Sequence, residues 1–196
     1  MAKEAGVIIK KAVYFEKPGR DNSKDCLDVV KEAAGDGRHK HLVIATTGGD
    51  TALLFGEALR NSGMNIIAVT HCAGFREPNE FEVPPDVLEK IKSLGVKVFT
   101  GPMLTHSIET AFIQKFNGFS PMMILAQALR RFGEGTKVAC EIVMMAVDAG
   151  LVPEGREVLA VAGTGRGADT VLLIKSAASK RFFDLKVLEV LAKSRG

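Results

Sequence analysis

Two segments of the chain carry residue types, at a spacing, that suit the binding of a phosphate group. One is an apolar run from His41 that ends in Thr46-Thr47-Gly48-Gly49-Asp50-Thr51. The other is an apolar run from Val158 that ends in Gly163-Thr164-Gly165-Arg166-Gly167-Ala168-Asp169-Thr170. Both read as buried strands emptying into glycines, hydroxyl residues and one aspartate. Glycines let backbone N–H groups converge on an anion without side chains in the way, and such nests bind phosphate as helix N-termini do. Nothing of comparable clarity points to catalysis, so the sequence argues for binding a phosphorylated small molecule more than for a reaction.

The first loop enters a helix, whose start supplies roughly half a positive charge and several unpaired N–H donors. Thr46, Thr47 and Thr51 add hydroxyls. Asp50 works against a phosphate placed directly over it; it either caps the helix or accepts sugar or polyol hydroxyls. The second loop contains Gly-x-Gly-x-Gly-Ala but is not a dinucleotide fingerprint. That fingerprint must open a helix, whereas Thr170-Val171-Leu172-Leu173-Ile174 reads as a strand. No Walker lysine follows either. What remains is a glycine nest holding Arg166, which can grip a phosphate bidentately; the plain alternative is a glycine hairpin with a solvated arginine.

Two further loops leave strand ends. Thr70-His71-Cys72-Ala73-Gly74-Phe75-Arg76 offers an imidazole that can titrate near neutrality, a thiol, and a ring that can face a planar ligand. Lys17-Pro18-Gly19-Arg20 places two cations where an anion would dock. Glu141 and Asp148 lie seven apart in an apolar helix, hence near one face. A buried glutamate can be a general acid or base; more often it pairs with an arginine or caps a loop. His39 and His41 alternate on a strand entry without a third ligand, which is too little for zinc, so no metal is expected.

Strands and helices alternate around these loops. Strands are expected at 12–15, 42–45, 66–69, 96–99, 158–162 and 170–174. Helices are expected after Asn22 or Ser23, after Asp50 or Thr51, from Asp86 with capping-box spacing to Glu89, over 105–116, after Ser120-Pro121, and over 137–149 behind a Thr136 cap. The 137–149 helix is apolar on nearly all sides and belongs inside. The tail from Ser179 is amphipathic and reads as helical. Alternation implies a mostly parallel sheet with helices on both faces. Only Gly163–Asp169 join the fifth and sixth strands, too few for a parallel crossover. The sixth strand is therefore expected to run antiparallel or to lie apart. One domain over 1–196 is expected, with the helices of 101–135 as an elaboration.

Composition narrows the function. A net charge of +3, with no Trp and one Tyr, fits neither a basic nucleic-acid face nor a stacking platform. Cys26, Cys72 and Cys140 are scattered and odd in number, which fits a reducing cytoplasm. The apolar patch Val7-Ile8-Ile9 is too short for a signal peptide, and no run approaches a membrane span. A homodimer is the default assembly.

The run Leu42–Ala52, with Thr46-Thr47-Gly48-Gly49-Asp50-Thr51, resembles the strand, loop and helix that hold a regulatory sugar phosphate in the C-terminal domain of pyruvate kinase. Val158–Thr170 resembles that domain's closing glycine loop, and Asn65–Thr70 its intervening strand. Across nearly its whole length the chain is more similar still to a small family of stand-alone prokaryotic, largely archaeal, proteins. The carrying motifs are Tyr14-Phe15-Glu16-Lys17-Pro18-Gly19-Arg20, His41-Leu42-Val43, Gly49-Asp50-Thr51-Ala52, Pro84-Pro85, Cys140–Gly150 and Arg166–Thr170. The resemblance implies a pyruvate kinase C-terminal-domain-like α/β fold: a three-layer α/β/α sandwich whose five-to-six-stranded sheet is mostly parallel with an antiparallel edge strand. It does not imply pyruvate kinase activity, since the catalytic barrel is absent. It implies a flavin mononucleotide (FMN) binder: Asp50 or Asp169 for ribityl hydroxyls, Phe15 or Phe75 for the ring. A redox role then follows as a weaker expectation. The alternative is a non-catalytic regulatory or sensor module for a sugar phosphate or nucleotide. A hydrolase or lyase using Glu141 or His71 ranks last.

Overall fold

The computed structural model describes residues 6–196. Seven strands form one sheet: β1 (Val13–Phe15), β2 (His41–Ala45), β3 (Asn65–Thr70), β4 (Lys97–Thr100), β5 (Glu157–Ala162), β6 (Thr170–Lys175) and β7 (Lys186–Ser194). Among the described residues the six α-helices are α1 (Ser23–Ala34), α2 (Asp50–Leu59), α3 (Pro85–Ser93), α4 (Ile108–Phe116), α5 (Pro121–Arg130) and α6 (Glu134–Asp148). The strand order is β1-β7-β6-β5-β2-β3-β4. Only β6 runs against its neighbours. The short Gly163–Asp169 connection requires this, and β6 lies toward the β1 side of the sheet with β7 and β1 outside it.

Alternation along the strands divides the core in two. Leu42, Ile44, Leu159 and Val161 face α1, α2 and α3, and pack on Cys26, Val30, Phe55 and Ile91. Val43, Ile67, Val158 and Ala160 face α6 and pack on Ala139, Val143 and Ala146. The sandwich therefore has three layers. As its all-round apolar sequence demands, α6 is buried over nearly its whole length.

Four local expectations change. The tail from Ser179 is not helical: a 3-10 turn leads into β7, which pairs with β6 on one side and β1 on the other. Its ladder with β6 carries two register shifts, which blur the two-residue period that would have marked a strand. The sheet thus gains a seventh strand. Helix α2 is capped by Gly49 in the left-handed region (φ 98°), so Asp50 is the first helical residue and not the cap. Helix α3 starts at Pro85 with no side-chain cap, and α6 starts at Glu134, ahead of Thr136. Ser120 does cap α5, accepting from the Met123 amide at 3.2 Å.

All strands but β6 end at one edge. From β2 the chain proceeds outward to β3 and β4, then returns through α6 to place β5 on the other side of β2. The β2/β5 boundary is thus a topological switch point, where open α/β sheets leave a crevice for ligands. The two glycine-bearing loops follow those two strands.

Candidate functional site

A cleft of about 300 Å³ opens at this crevice. Thr46, Thr47 and Thr51 enter it from the end of β2, Thr70, His71, Phe75 and Arg76 from β3, and Gly163, Gly165 and Gly167 from β5. The opposite wall comes from the 101–135 elaboration and α6: Met103, His106, Arg130, Glu134, Lys137 and Glu141. A second hollow of about 390 Å³ shares Thr47, Thr70 and His71 and continues over Phe81, Val83 and Leu88.

The β2 loop is shaped from inside. Thr46 Oγ1 accepts from the Gly49 amide at 3.1 Å. A Cβ on Gly49 would lie 2.4 Å from Val87, so α3 packs directly on this turn. Gly48 has open space around it. Asp50 projects outward and pairs with Arg20 at 3.3 Å, over a separate shallow hollow.

The β5 loop is pinned to the N-terminal turn. Asp169 is fully buried; its Oδ2 accepts from the Gly19 amide at 2.9 Å and the Thr164 amide at 3.0 Å. Its Oδ1 accepts from the Thr170 hydroxyl at 2.8 Å. Asp169 thus holds the loop and, being fully buried, is out of reach of a ribityl chain in the cleft. Thr170 is buried beside it, against α6 at Gly135. Ser23 Oγ accepts from the Ala168 amide at 2.9 Å. Phe15 is buried in the α1-side core and cannot face a ring in the cleft. Lys17 and Pro18 are exposed on the β1 turn, where the Lys17 carbonyl accepts from Asn22. Arg166 is exposed and does not line the cleft; Gly74 closes a turn by donating to the Glu80 carbonyl.

Two constellations escape a sequence reading. Glu82 hydrogen-bonds His71 Nδ1 and pairs with Arg76 at 2.8 Å, while the Phe75 ring packs on the imidazole at a centroid distance of 4.1 Å. The second is Lys137 with Glu141, an ion pair at 2.6 Å whose side chains are 1% and 2% exposed. Glu141 Oε1 accepts from the Thr105 amide and hydroxyl, both at 2.8 Å. Since the Thr105 proton goes to the carboxylate, the 2.9 Å contact between Thr105 Oγ1 and His106 Nδ1 has histidine as donor. Burial, then the Lys137 charge, pushes the His106 pKa below its ordinary value, so the ring is neutral at pH 7. Glu141 is therefore a loop-capping, paired carboxylate with no free oxygen for general-base work. Asp148 lies exposed at the far end of α6, where it accepts from the Ser179 amide. An i,i+4 Lys-Glu pair in an otherwise apolar helix was the available signal.

Burial pushes the thiols of Cys26 and Cys140 up to about 12, which leaves both unreactive. Among the described residues no group of three His, Cys, Asp or Glu is placed to hold a metal ion. No helix among them is long and apolar enough to cross a membrane.

Residues 24–174 match the family model described as pyruvate kinase, alpha/beta domain. The chain belongs to that family. The match stops short of β1 and β7, so the strands that widen the sheet lie outside it. Solved structures resemble the chain only slightly. An NH3-dependent NAD synthetase from Campylobacter jejuni, in complex with the nitrate ion, is 18% identical over 56% of this chain and 46% of that chain, with a TM-score of 0.35. NMN synthetase from Francisella tularensis is 19% identical over 70% of this chain and 52% of that one, with a TM-score of 0.38. The chain spans about half the length of these proteins.

Proposed function

We propose that this protein binds a phosphorylated small molecule, with FMN as the ligand, at the carboxyl edge of its sheet. The observation that carries the reading is the convergence of the Thr46–Thr51 and Gly163–Gly167 loops on one crevice at the switch point. The phosphate is assigned to their hydroxyls and amides. The cleft and the hollow beside it, joined at His71, together suit a ligand of nucleotide size. The exposed face of the His71–Phe75 pair suits a planar ring. Membership of the stand-alone, largely archaeal group and a cytoplasmic setting, where its free cysteines stay reduced, belong to the same reading. Pyruvate kinase activity does not.

One observation favours the alternative, a non-catalytic regulatory module for a sugar phosphate or nucleotide. Three of the four carboxylates lining this cleft and its neighbouring hollow, Glu82, Glu134 and Glu141, are engaged by cations.

A visible spectrum of the freshly purified protein, with mass spectrometry of what heat releases, tests the reading. Bound flavin, or quenching of added FMN fluorescence, is expected. A colourless protein that takes up no flavin overturns it. Thr47→Val keeps the side-chain shape and deletes one hydroxyl. It should weaken FMN binding by about 3- to 10-fold, the worth of one hydrogen bond.

A further inference from the structure

The wall of the cleft formed by α5 and α6 holds an unfinished hydrogen-bond pattern. Lys137 is buried to 1% exposure and lines the cleft, yet among the described residues its ammonium has one hydrogen-bond acceptor, Glu141 Oε2 at 2.6 Å. His106 Nδ1 lies 3.4 Å away but donates to Thr105, so it accepts nothing from the lysine. Two ammonium N–H groups are left over. A buried ammonium with idle donors is costly unless something in the cleft completes it.

One helical turn away, Arg130 uses Nε to bind Glu134 Oε2 at 2.7 Å. Among the described residues the remaining guanidinium donors and Glu134 Oε1 have no partner. Both residues line the same cleft. Positions 134 and 137 share a helix face, and Arg130 closes the preceding helix. The wall therefore presents donor, acceptor, donor: guanidinium, carboxylate, ammonium. Counting Glu141, its two cations and two carboxylates cancel. A phosphate has no net charge to meet there, and the Glu134 carboxylate repels it. The complement is a neutral edge reading acceptor, donor, acceptor, which is the carbonyl, N–H, carbonyl edge of a cyclic imide.

We infer that Arg130, Glu134 and Lys137 recognise the imide edge of the bound ligand: the pyrimidine end of a flavin, or a uracil-type base. The inference rests on the cleft being a phosphorylated-ligand site and adds which end of the ligand goes where. The phosphate lies on the glycine loops and the imide lies against α6.

The test measures affinities of the full chain, by calorimetry, for FMN, N3-methyl-FMN, UMP and CMP. Methylation at N3 removes the donor that faces Glu134. CMP replaces it with a lone pair facing that carboxylate. FMN is expected to bind at least tenfold more tightly than N3-methyl-FMN, and UMP at least tenfold more tightly than CMP. Glu134→Gln, on the half-buried rim and checked for an unchanged melting temperature, should bring the UMP to CMP ratio toward one. Equal binding of FMN and N3-methyl-FMN overturns the imide edge and leaves the flavin reading standing. Preference for UMP over CMP without FMN binding does the reverse. No binding of any of the four overturns both.

Discussion

Lys137 and Glu141 carry opposite lessons about buried charge. Paired, they offset part of each other's burial; apart, each is an uncompensated ion in a buried wall. Lys137→Met is therefore expected to destabilise the fold by about 3–5 kcal/mol. Lys137→Met combined with Glu141→Gln should recover much of that, because the amide still accepts from the Thr105 backbone. Urea denaturation of the two variants decides it. His106 adds a pH dependence. Burial and Lys137 depress its pKa, and burial depresses that of His41. In the window below their ordinary 6.5, the unfolded chain binds protons that the folded chain does not. Stability should therefore fall as pH drops through about 6.5, ahead of any carboxylate titration. His106→Gln should flatten that slope in melting curves taken between pH 7 and 5. The threonine and glycine loops were legible in the sequence because backbone chemistry and residue type coincide there. Lys137 was not, since a lysine letter carries no mark of burial. Phe15 and Asp169 were legible as special but not by role, because only packing tells a core ring from a ligand platform.

The loop between β5 and β6 owes its position to the turn ahead of α1. Gly167, with φ of 79°, passes so close that a Cβ would sit 2.4 Å from Arg20 Cα. Gly167→Ala combines that clash with a strained backbone and should cost upwards of 1 kcal/mol. Ser23→Ala strands the buried Ala168 amide and should cost about 1–3 kcal/mol. Both variants should also weaken FMN binding, because the glycine loop loses its seat. Thermal melts with and without FMN separate the two effects. Most elements could be read from period and punctuation, and the antiparallel β6 followed from the length of one connection. The tail could not. In Lys186–Ser194, Val187, Leu188, Val190 and Leu191 satisfy a helical stripe as well as a bulged strand. Only the slot between β1 and β6, with backbone partners on both sides, decides for strand.

The 101–135 elaboration exposes several large apolar side chains. Ile108, Phe112, Phe116, Phe119, Ile124 and Phe132 are 58–77% exposed. At ordinary side-chain areas this amounts to roughly 900 Å², comparable to the ~800 Å² that each partner contributes to a stable interface. A second copy of the chain is the occupant expected there. Analytical ultracentrifugation should show a dimer that Phe112→Glu with Phe116→Glu converts to monomer; an unchanged dimer would place the interface elsewhere. The sheet's other flank has its own consequence. Lys10 pairs with Glu189 across 179 residues, and β1 is zipped along β7. The turn that steadies the glycine loop is thus synthesised well before β7, the strand that seats it. Until β7 arrives, β6 has one open edge, and any strand with the right register can occupy it. A β7 borrowed from a neighbouring molecule would fit as well as the chain's own. Slow or crowded refolding should therefore yield strand-exchanged pairs as its characteristic error.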